Sequence, residues 1–217
     1  MPGPEAGSAG GHPAGDLRGD PAAAVAALRS AGLTIAVAES LTAGQVSARL
    51  ADVPGASAVL RGGVVSYATE VKASVLGVDA ALLAASGPVH PEVARQMARG
   101  VRALLGADVG VATTGVAGPG PQDGHPAGTA FVALTWGDAT KDRSHPLPEV
   151  ELVEQVLALS LSGDRAQVRA ATTAAALGLV VDVVQARRAG GGAGVSDVTP
   201  PGASPAAGEE RAGQDRR

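Results

Sequence analysis

Aromatic side chains are almost absent from this chain, which has one Trp, one Tyr and one Phe among 217 residues although 45% of its residues are hydrophobic. A folded core must therefore be built from Ala, Val and Leu with a little Ile. Such small side chains suit helices that pack tightly on a β-sheet. The composition thus favours an α/β fold.

Charge and composition exclude several classes of protein. A net charge of −4 argues against a general nucleic-acid binder, which normally carries a basic stripe. The lack of Cys excludes disulfides, thiolate zinc sites and a Cys nucleophile. No apolar run approaches the ~20 residues that span a bilayer, and no secretory signal is visible at the N-terminus. We therefore expect a soluble, cytoplasmic protein with no nucleic-acid or membrane partner.

Both ends of the chain are rich in Gly, Pro, Ala and charge. Residues 1–19 and 189–217 contain too few large apolar side chains to offset the entropy lost on ordering. The glycines at 190–192 also permit a phosphate-binding interpretation, but flexible tails fit the composition better. We therefore expect two disordered tails flanking a single domain at residues 20–188.

Strand and helix patterns alternate along that domain. The sequence predicts helices at 21–31, from about 45 to 53, at 69–76, at 91–105 and from 165 to about 186, and strands at 34–38, 63–67, 109–114, 128–136 and 156–161. Alternating strands and helices followed by a pair of strands predict a three-layer α/β/α sandwich on a mixed β-sheet.

Lysine is nearly as rare as the aromatic residues. Only Lys72 and Lys141 are Lys among seventeen basic residues. Arg stays protonated, whereas a desolvated Lys can lose its proton near neutral pH. Lys72, within a predicted helix, is therefore a candidate base; the alternative, which this feature alone favours, is an ordinary surface residue.

Two further residues follow predicted strands near Lys72. Tyr67, the only Tyr, ends the second strand, and Ser40 lies at the turn between the first strand and the next helix. Ligands of open α/β sheets bind at this strand edge. A Ser activated by a neutral Lys needs no His partner. The alternatives are that Tyr67 merely fills space and that Ser40 is a helix N-cap.

Two other segments could contact a ligand. A Gly/Pro loop after Thr114 lets backbone approach a ligand at Gly115 and Gly118, although it lacks a P-loop ending. Arg165, at the start of the last helix, could hold a phosphate or carboxylate, or could simply be solvated. No His, Asp or Glu spacing suggests a metal site.

Together these motifs resemble the C-terminal domain of the competence-damage-inducible CinA family, the nicotinamide-nucleotide amidohydrolase family. The resemblance rests on VAESLTAG at 37–44, DVPGASAVLRGGVVSYATEVKASVLGV at 52–78, GADVGVATTGVAGPG at 106–120, GTAFVAL at 128–134 and SGDRAQVR at 162–169. It covers nearly all of the predicted domain. The chain departs from the family pattern at Leu41, Ala43 and Pro121.

The resemblance implies an enzyme and a set of site residues. It implies hydrolysis of the carboxamide of nicotinamide mononucleotide, a small-molecule nucleotide, to nicotinate mononucleotide and ammonia, without cofactor or metal and in a homodimer to which the final helix could contribute. The catalytic residues would be Ser40 as nucleophile, Lys72 as base and Tyr67. The substrate-binding residues would be Thr42, Gly44, Thr114, Gly115, Gly118 and Arg165.

A different class of function is also open. The competence name is consistent with a non-catalytic protein that binds a nucleotide or a recombination partner. That alternative predicts that the cleft binds nucleotides while Ser40→Ala leaves function intact. A third possibility is acyl transfer on another amide.

Overall fold

Six strands and six α-helices make up the part of the chain that the computed structural model describes, residues 19–137, 153–188 and 196–198. The strands are β1 (Ile35–Glu39), β2 (Leu60–Val65), β3 (Val109–Gly115), β4 (Thr129–Trp136), β5 (Val153–Ser160) and β6 (Ser196–Val198). The helices are α1 (Pro21–Ala31), α2 (Gln45–Ala51), α3 (Thr69–Leu76), α4 (Ala80–Ser86), α5 (Pro91–Leu105) and α6 (Arg165–Arg188).

The strands form one mixed sheet in the order β2-β1-β3-β4-β5-β6. Strands β1, β2 and β3 are parallel, β4 and β5 run antiparallel to their preceding neighbours, and β6 is parallel to β5. The carboxyl ends of the three parallel strands therefore meet at one edge of the sheet, where ligands of open α/β sheets bind.

Helices cover both faces of this sheet. On one face α1, α2 and α6 pack on large β-branched side chains such as Ile35 and Val37 of β1. On the other face α3 and α5 pack on small side chains such as Ala36 and Ala38 of the same strand. This alternation along β1 confirms the predicted three-layer α/β/α sandwich.

Small residues let α5 approach its neighbours closely. A Cβ added at Gly110 of β3 would lie 2.1 Å from the carbonyl oxygen of Ala98, and one at Gly100 would lie 1.9 Å from that of Leu76. Neither contact is tolerable, so both positions require Gly. Because the backbones of these elements lie so close together, the core has little room for large aromatic side chains.

Local signals fix the ends of the best-predicted helices. The Asp20 carboxylate accepts a hydrogen bond from the Ala22 N–H at the start of α1, and Gly32 ends that helix in the left-handed region. Gly77 ends α3 in the same way. These helices have the predicted bounds because the Asp20 carboxylate at the start of α1 and the left-handed glycines at both C-termini satisfy otherwise unpaired backbone groups.

Strands β2 and β5 and helix α4 differ from the prediction, and β5 starts at Val153 rather than at 156. Strand β2 occupies Leu60–Val65 rather than 63–67, because its parallel register pairs Leu60 with Ile35 and Val65 with Glu39. Helix α4 was not expected. It buries no residue, so it has no apolar stripe that a periodicity search would detect, and its clearest signal is the Asp79 N-cap.

The two expected tails lie largely outside the described residues. The exceptions are Gly19 and β6. The three residues of β6 pair with Gln155, Val156 and Leu157 of β5, within the segment 189–217 that composition predicts to be a tail. For these three residues the structure differs from that expectation. Backbone pairing with a sheet edge requires no apolar side chains, so composition does not reveal it.

We expect residues 1–19 and 190–217 to be dispensable for folding. A chain trimmed to 20–189 loses β6, which lies at the edge of the sheet and pairs with β5 at three positions, whereas the strands that form both apolar cores remain. Its thermal midpoint, measured by circular dichroism, should stay within about 3 °C of that of the full chain. A fall of roughly 10 °C would show that one of these segments contributes to the folded domain.

Among the described helices, α6 alone is long and apolar enough to cross a membrane. This differs from the expectation that no apolar run approaches the length that spans a bilayer. In the fold, 61% of its most apolar window is buried, and the helix contacts α1, α2, β3 and β4. It is therefore a core helix, and its apolar side chains are used within the domain. The expected homodimer stays a prediction.

Candidate active site

A cleft opens at the edge where the parallel strands end, and it has a volume of about 450 Å³ including its mouth. It is lined by Ser40, Leu41, Tyr67, Thr69, Lys72, Pro88, Val89, Thr114, Gly115, Ala117, Gln122, Asp123 and Arg165. All three predicted catalytic residues and three of the six predicted substrate-binding residues therefore share one cleft.

The turn that carries Ser40 is held by the residue before it. The Glu39 carboxylate, 1% exposed, accepts hydrogen bonds from the N–H groups of Gly44 (2.8 Å), Val46 (3.1 Å) and Ser47 (2.9 Å) and from the Ser47 hydroxyl (2.7 Å). The Ser40 N–H donates to the carbonyl of Thr113 on β3 at 3.0 Å. Ser40 is thus fixed from both sides at the end of β1.

Lys72 reaches Ser40 from beneath the cleft. It lies on the inner face of α3, 1% exposed, and its Nζ donates to Ser40 Oγ at 3.1 Å. The same Nζ donates to the Ser66 carbonyl at 2.7 Å. Because β2 ends just before Ser66, the chain turns there and presents this carbonyl to Lys72. The alternative of a solvated surface Lys72 is wrong.

Burial lowers the pKa of Lys72 from its ordinary 10.5 to about 8. The carboxylates of Asp123 and Glu70 act in the opposite direction, because nearby negative charge favours the protonated ammonium. A pKa near 8 leaves roughly a tenth of the amine free at pH 7, which is enough for a general base hydrogen-bonded to its nucleophile.

Tyr67 and Arg165 meet at the mouth of the cleft. Arg165 donates from Nη2 to the Tyr67 hydroxyl oxygen at 2.5 Å and from Nη1 to the Gly118 carbonyl at 2.9 Å. Tyr67 is 56% exposed, so it is not a core residue that fills space. The guanidinium keeps further N–H groups for an anionic ligand.

Thr114 and Gly115 line the cleft, but other parts of the protein contact the Thr114 hydroxyl and the side of Gly115 where a Cβ would lie. The Thr114 hydroxyl donates to the Pro88 carbonyl at 2.7 Å. A Cβ at Gly115 would lie 2.5 Å from the Thr129 carbonyl oxygen, so this Gly is required by contact with β4 rather than by a ligand. Gly118 acts through its carbonyl, which orients Arg165.

Thr42 and Gly44 do not lie in the cleft, contrary to their predicted role in substrate binding. Thr42 is fully buried, and its hydroxyl shares a hydrogen bond of 2.7 Å with that of Thr113. The Gly44 N–H is bound by Glu39. Both residues shape the turn behind Ser40. Arg169 has a similar structural role, donating to the carbonyls of Leu41 (3.0 Å) and Thr42 (2.8 Å).

The hydrogen bonds of the turn after Ser40 determine which backbone N–H groups remain available to an oxyanion. The N–H groups of Val46 and Ser47, at the start of α2, donate to the Glu39 carboxylate and so are not available to an oxyanion. The Leu41 N–H, which directly follows Ser40, has no hydrogen-bond acceptor among the described residues. It is the backbone donor nearest in sequence to Ser40 for the oxygen of a carbonyl group whose carbon Ser40 could attack.

Sequence reasoning missed Glu39, Gln122 and Asp123. A Glu at the end of a buried strand is itself a signal, because carboxylates are almost never fully buried without partners. Gln122 and Asp123 belong to a tight turn, and the Asp-Gly pair at positions 123 and 124 is a strong hairpin signal.

The chain matches known proteins along almost all of the described domain. The CinA C-terminal domain family matches residues 21–184. A CinA-like protein of Frankia casuarinae is 53% identical over 147 residues, which are 68% of this chain and 31% of that protein. The chain thus spans about a third of the length of the curated relatives it matches.

Comparison with solved structures leads to the same family. Competence damage-inducible protein A from Klebsiella pneumoniae is similar with a TM-score of 0.67 and 31% identity, over 78% of this chain and 98% of that one. A CinA superfamily protein from Enterobacter cloacae is similar with a TM-score of 0.69 and 26% identity, over 83% of this chain and 99% of that one. The chain therefore belongs to the CinA C-terminal domain family.

Proposed function

We propose that this protein is an amidohydrolase that converts nicotinamide mononucleotide and water to nicotinate mononucleotide and ammonia. The observation that carries the proposal is the hydrogen bond of 3.1 Å between the buried Lys72 Nζ and Ser40 Oγ at the base of the cleft. A buried amine with a lowered pKa beside a hydroxyl is the arrangement that activates Ser without a His.

The reaction takes two steps. The free Lys72 amine accepts the Ser40 proton as Oγ attacks the carboxamide carbon, and the resulting ammonium returns the proton to the departing nitrogen. This leaves an ester between Ser40 and the nicotinoyl group, with ammonia released. A water molecule then attacks the ester, again losing its proton to Lys72, and the acid leaves as Ser40 recovers its proton.

The oxyanion and the nucleotide use different parts of the cleft. The Leu41 N–H supplies a donor for the negative oxygen that forms when Ser40 attacks. Arg165, oriented by Tyr67 and the Gly118 carbonyl, supplies a planar group for the phosphate. Tyr67 therefore acts in this proposal by holding Arg165 and the substrate rather than by moving a proton.

The direct test is to incubate the purified full-length protein with nicotinamide mononucleotide. We expect ammonia and nicotinate mononucleotide in equal amounts, and no product from the Ser40→Ala protein. Calorimetry with both proteins measures binding separately from turnover. Binding without any ammonia would favour the alternative of a non-catalytic nucleotide-binding protein, to which the competence-related names of the relatives also lead.

Arg165→Lys is expected to raise KM for nicotinamide mononucleotide by about tenfold with a smaller change in kcat, because Lys cannot reproduce the planar fork of guanidinium. The matched control is Arg49→Lys, the same change on the exposed surface of α2. Steady-state kinetics give KM and kcat for the wild type, Arg165→Lys and Arg49→Lys. An unchanged KM in Arg165→Lys would remove Arg165 from phosphate binding.

A further inference from the structure

A short hairpin turn holds an acidic side chain at the cleft. Gln122 and His125 exchange backbone hydrogen bonds of 3.0 and 2.9 Å, and the two residues between them, Asp123 and Gly124, have φ angles of 51° and 77°. Positive φ at both central residues is characteristic of a type I′ turn, for which Asp-Gly is a favoured pair. The backbone of Asp123 is therefore well defined.

The side chain of Asp123 belongs to the same cleft as the reacting groups. It lines the cleft together with Ser40 and Lys72, and its charge acts on the Lys72 ammonium. Within the described residues no donor forms a hydrogen bond or ion pair with its carboxylate. Asp123 thus contributes a negative charge that remains available to a ligand.

This charge opposes the chemistry proposed for Lys72. A carboxylate near the ammonium favours the protonated form, which cannot accept the Ser40 proton. For a substrate with a neutral ring Asp123 would therefore be a disadvantage. A positively charged ring changes the balance, because attraction to the carboxylate strengthens binding and the ring's own charge disfavours the protonated ammonium.

We propose that Asp123 is a specificity-determining residue that selects substrates whose scissile carboxamide is attached to a positively charged ring, such as a pyridinium, over substrates with a neutral ring. The inference rests on the proposed function for the identity of the scissile bond. With Arg165 at the mouth, the cleft then offers opposite charges to a ligand that is itself cationic at the ring and anionic at the phosphate.

The experiment compares nicotinamide mononucleotide with its reduced dihydropyridine form, which has the same carboxamide, ribose and phosphate but an uncharged ring. Ammonia release gives kcat/KM for both forms in the wild type, in Asp123→Asn and in the control Asp52→Asn, which removes an exposed charge outside the cleft. Calorimetry on the Ser40→Ala protein, with and without Asp123→Asn, gives the affinity for both forms without turnover.

We expect Asp123→Asn to reduce the preference for the cationic form by about fivefold or more, both in kcat/KM and in affinity, while Asp52→Asn leaves it unchanged. The ratio cancels the intrinsic reactivity of the two rings and any general effect on Lys72. An equal effect on both forms would overturn the inference, as would binding of neither form. If no ammonia is released but the affinities shift as stated, the proposed function fails while the inference stands.

Discussion

Ser40→Ala and Lys72→Ala are each expected to reduce ammonia release from nicotinamide mononucleotide by about 10³-fold or more, because in the proposed mechanism attack and proton transfer share one step and neither group can replace the other. The hydrogen bond between Lys72 Nζ and Ser40 Oγ is the physical basis of this coupling. Initial rates at saturating substrate measure the effect.

The double variant should be little worse than either single variant, since groups that share one step have strongly non-additive effects. Ser40→Ala removes one oxygen and should keep its thermal midpoint and its affinity for substrate. Lys72→Ala leaves a cavity, so Lys72→Met is the better control for folding. Losses that multiply in the double variant would contradict a shared step.

The pH dependence separates a base from a fixed positive charge. With the Lys72 pKa near 8, kcat/KM should rise with pH between about 7 and 9, because only the deprotonated amine accepts the Ser40 proton. Lys72→Arg keeps its proton and should be nearly as inactive as Lys72→Ala. Lys141 lies outside the described residues, in a polar stretch of the sequence, and Lys141→Arg should be silent. Near-normal activity of Lys72→Arg would show that Lys72 acts only through its charge.

The sequence predicts the layers of this fold because its signals are local. Helix α1 has an N-cap, a Pro in its first turn and a C-terminal Gly, and it has the predicted bounds Pro21–Ala31. The start of β2 could not be predicted, because pairing with β1 determines it. Helix α4 packs no buried side chain and so leaves no periodic pattern. Elements that depend on distant partners are the ones that local patterns miss.

Rarity was the most useful guide to the site. Lys72 is one of two Lys among seventeen basic residues, and Tyr67 is the only Tyr. Both line the cleft with Ser40. Thr42 and Gly44 were predicted to contact the substrate but lie outside the cleft. A sequence motif does not show which of its polar groups form hydrogen bonds within the protein. Asp123 was missed because its position depends on a turn that brings it back over the strand edge.

Glu39→Gln is expected to be the most damaging single change outside the Ser40–Lys72 pair. An amide nitrogen at the Oε2 position of Glu39 would face two backbone N–H donors, and one at the Oε1 position would face the Ser47 N–H, although the Ser47 hydroxyl can rotate to accept. Losing at least one bond to a buried charge costs about 1.5–3 kcal/mol, which corresponds to a fall of roughly 3–12 °C in thermal midpoint. The exposed Glu70→Gln should change the midpoint by less than about 2 °C.

Glu39→Gln should also lower the activity of the fully folded protein, beyond any activity that is lost through unfolding. Glu39 fixes the turn that places Ser40 Oγ within reach of Lys72, but it does not line the cleft. At a temperature where the variant is fully folded, kcat should fall by about tenfold or more while KM changes little, because displacement of the nucleophile affects the reaction more than binding. A fall in thermal midpoint with unchanged kcat would show that Glu39 only stabilises the start of α2. If instead KM rises and kcat is preserved, the turn contributes to binding the substrate rather than to aligning Ser40.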